Sequence, residues 1–177
     1  MTLPDPLRYP IGLHVFNPDA GPADINQWIA DLAILPEQIE ALIPTFNEDV
    51  LARRYRPGGW TLRQVIHHLP DSHLNAYTRF KLAITEKRPA IRPYDEQAWA
   101  ETAEALHGDI SLSVNLLRAL HGRWVAFLNT LEPAAFDRLL YHPESKREFT
   151  VKELLSTYSW HGRHHLAHLR SGLQQGY

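Results

Sequence analysis

Eleven of the 177 residues are histidine and none is cysteine. Imidazole is the side chain that both binds divalent metals and moves protons near neutral pH. The missing thiol excludes disulfide scaffolds, thiolate zinc sites, iron–sulfur ligation and cysteine nucleophiles. Most of the histidines fall in two stretches, His67-His68-Leu69-Pro70-Asp71-Ser72-His73 and His161-Gly162-Arg163-His164-His165-Leu166-Ala167-His168. At about 100° per residue, Leu154, Tyr158, Leu169 and Leu173 trace one apolar stripe of a C-terminal helix. His161 and His165 lie inside that stripe, four residues apart, where two imidazoles can share one ion. Packed as ordinary core residues, each would need its own hydrogen-bond partner. A shared metal resolves both. His168 falls near the stripe edge and His164 further from it.

A third ligand must then come from a facing helix. In the first stretch the helical wheel puts His73 within the apolar arc, His68 at its edge and His67 roughly opposite. Wheel geometry alone does not choose between His68 and His73, because Pro70 lies between them and disturbs the phase. His121 reads as a core histidine, and His14, His107 and His142 as surface residues. No His-Glu-x-x-His, Gly-x-Ser-x-Gly, phosphate-binding loop or dinucleotide fingerprint is present, which removes those chemistries.

The elements that would position these rings are helical. Residues 1–22 carry five prolines and read as an extended arm. Ile25 to Ile43 keep helical phase straight through Pro36, predicting one long helix with a kink, followed by a short helix near Glu48–Arg54. Thr61-x-x-Gln64 is a capping box with Trp60 placed to staple onto Val65, opening a helix whose stripe runs from Leu62 to Ile84. A long connection follows, with a short helix around Glu96–Leu106. Another helix spans Ser111–Leu131, Pro133–Pro143 is irregular, and Thr150-x-x-Glu153 opens the last helix. Four long amphipathic segments and no run of alternating strands predict an all-α four-helix bundle with a long connection between its second and third helices, within a single domain over 1–177.

Composition narrows the partners. With 18 basic and 20 acidic side chains the formal charge is −2, no footprint for nucleic acid. No segment reaches the roughly 18 apolar residues of a membrane span, and the start Met-Thr-Leu-Pro-Asp-Pro lacks the basic and apolar parts of a signal peptide, so a cytoplasmic protein is expected. The Arg53-Arg54-Tyr55-Arg56 cluster is short and reads as a solvated face.

Ordered motifs along nearly the whole chain resemble one family, the YfiT-like group of the DinB superfamily. They are Arg8-Tyr9-Pro10-Ile11-Gly12, Gly58-Gly59-Trp60-Thr61, His67-His68-Leu69 with Asp71-Ser72-His73, Arg79-Phe80-Lys81-Leu82, Arg92-Pro93-Tyr94-Asp95-Glu96, Leu120-His121-Gly122-Arg123-Trp124, Tyr141-His142-Pro143 and Trp160-His161 with His164-His165. The resemblance implies a three-histidine metal site, whose ligands match His68, His161 and His165. It also implies a homodimer and one divalent ion per chain, zinc first and nickel or manganese as alternatives. Pro70 departs from the family pattern two residues from His68. Asn75 and Arg79, on the row beyond His68, are candidates to support the site.

Three imidazoles leave coordination positions open, the pattern of a catalytic site. The expected function is a metal-dependent hydrolase of a small molecule in which the ion activates water. The resemblance also implies an alternative, a transferase of a low-molecular-weight thiol such as bacillithiol; the same ligands would serve it, with the thiol supplied from outside because the chain has none. In a third reading, the bundle holds a metal or ligand without catalysis.

Overall fold

The computed structural model describes residues 5–177. Proline opens the first long helix, α1 (Pro22–Glu40), where its missing N–H costs nothing, and Pro36 lies inside the same helix. After a turn come the short α2 (Glu48–Leu51) and then α3 (Leu62–Thr85). Thr61 and Gln64 cap α3 reciprocally, with Gln64 N–H on Thr61 Oγ1 at 3.2 Å and Thr61 N–H on Gln64 Oε1 at 2.9 Å. Helix α3 continues through Pro70, so His68 and His73 share one element. The connection folds into two short helices, α4 (Glu96–Ala100) and α5 (Ala103–His107), where one was expected. Helix α6 spans Ile110–Leu128 and α7 spans Val151–Gln175. Thr150 caps α7, but the Glu153 carboxylate meets Arg147 at 2.8 Å.

A hairpin also departs from the helical pattern read in the sequence. The stretch 133–143, expected to be irregular, supplies β1 (Leu139–His142) of an antiparallel hairpin with β2 (Arg147–Thr150), in the register Leu139 opposite Thr150. Two four-residue strands carry too little alternation to stand out in sequence. The hairpin leads directly into α7 and fixes where that helix begins.

The four long helices do not follow a simple ring. Helix α1 packs on α6 and α7, and α3 packs on the same two, so α1 and α3 stand on one diagonal and α6 and α7 on the other. The long α3–α6 connection lays α4 and α5 against the outer side of α3. Helix α3 is therefore buried nearly all round in its first half, including His67, which the wheel had placed away from the core. Its Nδ1 lies 2.7 Å from Ser113 Oγ of α6.

Apolar side chains form two clusters along the bundle, one around Phe80, Trp124, Leu155 and Tyr158, the other around Leu62, Leu69, Leu117 and Leu169. On α3 the first cluster uses Ala76, Phe80 and Ala83 and the second Leu62, Val65, Ile66 and Leu69; on α7 the division falls between Tyr158 and Leu166. The histidines occupy the gap on both helices. Burial of the two clusters holds the backbone, and the polar rings sit between them, where they require partners.

Candidate metal centre

Helices α3 and α7 bring His68, His161 and His165 together: one ring nitrogen from each lies within 4.8 Å of the others. His68 Nε2 and His161 Nε2 are 3.2 Å apart. Two nitrogens bound tetrahedrally at 2.0–2.1 Å to one zinc ion would be about 3.3 Å apart, so the spacing suits a shared cation. The i, i+4 step sets the His161 and His165 rings 4.5 Å apart between centroids, and the His68 ring lies 4.9 Å from that of His165. Burial pushes the His68 pKa down to about 4. His161 and His165 are also held well below the ordinary imidazole value, by burial first and then by the neighbouring rings, led by His68 for His161 and by His161 for His165. Neutral imidazole is the form that donates a lone pair to a metal.

His73 takes a different place. It is fully buried, with Nε2 3.0 Å from His161 Nδ1 and Nδ1 2.8 Å from His121 Nε2. His121 Nδ1 in turn donates to the Leu32 carbonyl of α1 at 2.6 Å. His121 is thus a core histidine as read, and it is tied to the site through His73. On the other flank His168 lies with Nδ1 3.4 Å from His165 Nδ1, and its Nε2 donates to the Arg8 carbonyl at 3.2 Å. The Tyr55 ring stacks on His168 at 3.8 Å.

The N-terminal segment explains what the wheel missed on α7. From residue 5 onward it lies over this helix: Trp160 Nε1 donates to the Gly12 carbonyl at 3.1 Å and His14 Nε2 lies 3.0 Å from Ser156 Oγ. His164, placed off the stripe by its phase, is buried between Tyr9 and a stacked Trp160. His14 is likewise half-buried, not a free surface residue, while His107 is exposed as expected. Residues 1–4 of the expected arm lie outside the described residues.

Asn75 and Arg79 do not reach the cluster. Asn75 donates to the Asp71 carbonyl one turn back, and Arg79 to Tyr158 Oη and the Arg92 carbonyl. A cavity of about 620 Å³ opens above the three rings, with Arg8, Arg54, Arg56, Gln64, Glu96 and Trp60 among its lining residues. The Trp60 indole covers His68 at 4.7 Å between centroids, and its Nε1 donates to Gln97 of α4 at 2.9 Å. The arginine cluster 53–56 thus contributes two guanidiniums to the cavity wall, which its short run of charge did not announce.

A helical bundle with a converging imidazole trio defines the class, and comparison gives the family. The chain belongs to the DinB superfamily, whose model matches residues 31–169. It is 45% identical over 163 residues to a Bacillus subtilis (strain 168) protein named "Putative metal-dependent hydrolase YfiT", covering 92% of each chain. A similarly named protein of Oceanobacillus iheyensis is also 45% identical over 164 residues, covering 93% of this chain and 94% of the relative. The solved structure of B. subtilis YfiT, described as having "an unusual four-helix bundle topology", superposes with a TM-score of 0.94 and 43% identity over 97% of this chain and 98% of that one. Among the described residues no helix is long and apolar enough to cross a membrane.

Proposed function

We propose that this protein is a metal-dependent hydrolase of a small molecule, with His68, His161 and His165 holding one divalent ion at the floor of the cavity. The observation that carries the reading is the convergence of three buried or half-buried imidazoles from two helices beneath an open cavity. Three nitrogen donors without a carboxylate or thiolate suit zinc first and also nickel. When bound, such an ion polarises a carbonyl and lowers the pKa of water to about 7. The names of the relatives support this assignment.

The chain's own residues supply the rest. Burial keeps the donors neutral, and Trp60 shields His68 and His165 on one side. The cavity volume of about 620 Å³ matches a small-molecule site better than a macromolecular surface. Arg8, Arg54 and Arg56 present N–H donors along the wall, able to orient carbonyl or anionic oxygens, with Glu96 and Glu101 also on it.

The test is metal analysis of the purified protein, reconstitution with zinc or nickel after chelation, and a panel of ester, amide and thiol-conjugation assays. About one ion per chain and metal-dependent ester or amide cleavage support the proposal. Folded protein that takes up no divalent ion overturns it. Conjugation of an added thiol without cleavage would replace hydrolysis by thiol transfer at the same three ligands.

A further inference from the structure

Outside the converging trio, the buried His121 and His168 are bonded to backbone carbonyls, and the buried His73 joins His121 to His161. A carbonyl oxygen only accepts hydrogen bonds, and a neutral imidazole carries a single N–H. These two rules determine every proton in the chain of rings. His121 must hold its proton on Nδ1 to use the 2.6 Å contact with the Leu32 carbonyl. His121 Nε2 is then an acceptor, so His73 Nδ1, 2.8 Å away, donates to it. His73 Nε2 in turn accepts from His161 Nδ1 at 3.0 Å. His161 is left with its proton on Nδ1 and a bare lone pair on Nε2. The shorter chain works alike: His168 donates from Nε2 to the Arg8 carbonyl, so its Nδ1 accepts from His165 Nδ1 at 3.4 Å and His165 Nε2 is bare.

We propose that His73, His121 and His168 are positioning residues, forming two relays anchored on the Leu32 and Arg8 carbonyls that set the tautomers of His161 and His165 and present both Nε2 lone pairs to the metal. The proposal rests on the three-histidine site above. The reverse order of protons would put the His121 Nδ1 lone pair against a carbonyl oxygen at 2.6 Å with no hydrogen between them. Water offers no escape, because His73 is 0% exposed and His121 and His168 are each 1% exposed. A charged ring in either relay would be a buried cation, and the described residues place no carboxylate within ion-pair distance of these rings.

The relays also single out His68. Its Nε2 faces the bare Nε2 of His161 at 3.2 Å, so without metal His68 is the donor. To serve as a ligand through Nε2, His68 has to carry its proton on Nδ1 instead. His68 is therefore the one ligand whose tautomer changes on metal binding.

Long-range 1H–15N spectra of histidine-labelled protein, stripped and then zinc-loaded, read each tautomer directly, with single-histidine variants for assignment. The expected result is Nδ1–H on His73, His121, His161 and His165 and Nε2–H on His168 in both states, with His68 moving from Nε2–H to Nδ1–H on zinc addition. Nε2–H on His161 or His165 in stripped, folded protein overturns the proposal. In a second measurement, His73→Phe is compared with His73→Gln, whose amide keeps one donor and one acceptor. Phe should weaken zinc binding about 10- to 100-fold in chelator competition, while Gln stays within about threefold of the parent. Equal affinities for all three overturn the proposal, and if His73→Phe does not fold, the parent spectra decide. Tautomers as drawn without zinc uptake would refute the metal reading alone; reversed tautomers with zinc bound would refute the relays alone.

Discussion

Acid should unfold the metal-free protein through its histidines. Burial pushes His68, His121, His164 and His168 down to about 4, from an ordinary value of 6.5. In the unfolded chain these groups protonate as pH falls through 6.5, while the folded state leaves them neutral until about pH 4. The unfolded state then binds more protons, so stability is complete above about pH 7 and is lost as pH falls from 6.5 toward 4. Between pH 7 and 5 each such histidine costs on the order of 2 kcal/mol, and four together roughly 7 kcal/mol. Asp71 works the other way: burial and Glu104 raise it to about 6, so its folded form gains a proton as pH falls. It is partly exposed, and its offset is held below about 1 kcal/mol. A net loss near 6 kcal/mol rivals the whole stability of an ordinary domain. Urea unfolding of chelator-stripped protein at pH 7, 6 and 5, followed by far-UV circular dichroism, measures it. The midpoint should fall steeply, with unfolding already advanced near pH 5 without urea. A midpoint unchanged from pH 7 to 5, at constant slope, would refute the burial argument.

Further outcomes are open to direct measurement. His165→Ala should lose metal binding and activity, yet remain helical and cooperatively folded at pH 7.5, because the apolar clusters supply most of the stability; helix loss on chelation alone would show a structural ion. His68→Ala should reduce zinc affinity by more than His73→Gln does, since His68 Nε2 lies against His161 Nε2 whereas His73 touches only its Nδ1. Thr61→Ala should cost about 1 kcal/mol in thermal or urea unfolding through loss of the α3 cap. Gly162→Val should destabilise by about 1–3 kcal/mol, because a Cβ at this position already lies 2.6 Å from Leu35 Cδ2, in a side chain only 1% exposed.

Local spacing carried much of the site. The four-residue step between His161 and His165 lies on one face of any regular helix, so their pairing follows from chain geometry, whatever the helix packs against. The Thr61 and Thr150 caps and the apolar stripes were legible for the same reason, since each depends on neighbours within one turn or one face. A wheel reports direction relative to an apolar stripe and nothing about what stands opposite. It put His73 within the apolar arc and His68 at its edge without choosing between them, and the packing of α3 on both α6 and α7 sets His73 against His121 on one side and the back of His161 on the other. His67 and His164 were misplaced because their burial comes from α6 with the α4–α5 connection and from the N-terminal segment, covers that no periodicity on α3 or α7 records. The diagonal arrangement of α1 and α3, the hairpin before α7 and the anchoring of two rings on the Leu32 and Arg8 carbonyls are long-range facts. The sequence alone determined which residue types could act and which pairs share a face. Tertiary structure decided which nitrogen faces which, because a hydrogen bond or a metal site depends on distances of a few ångströms between segments about 90 residues apart in the chain.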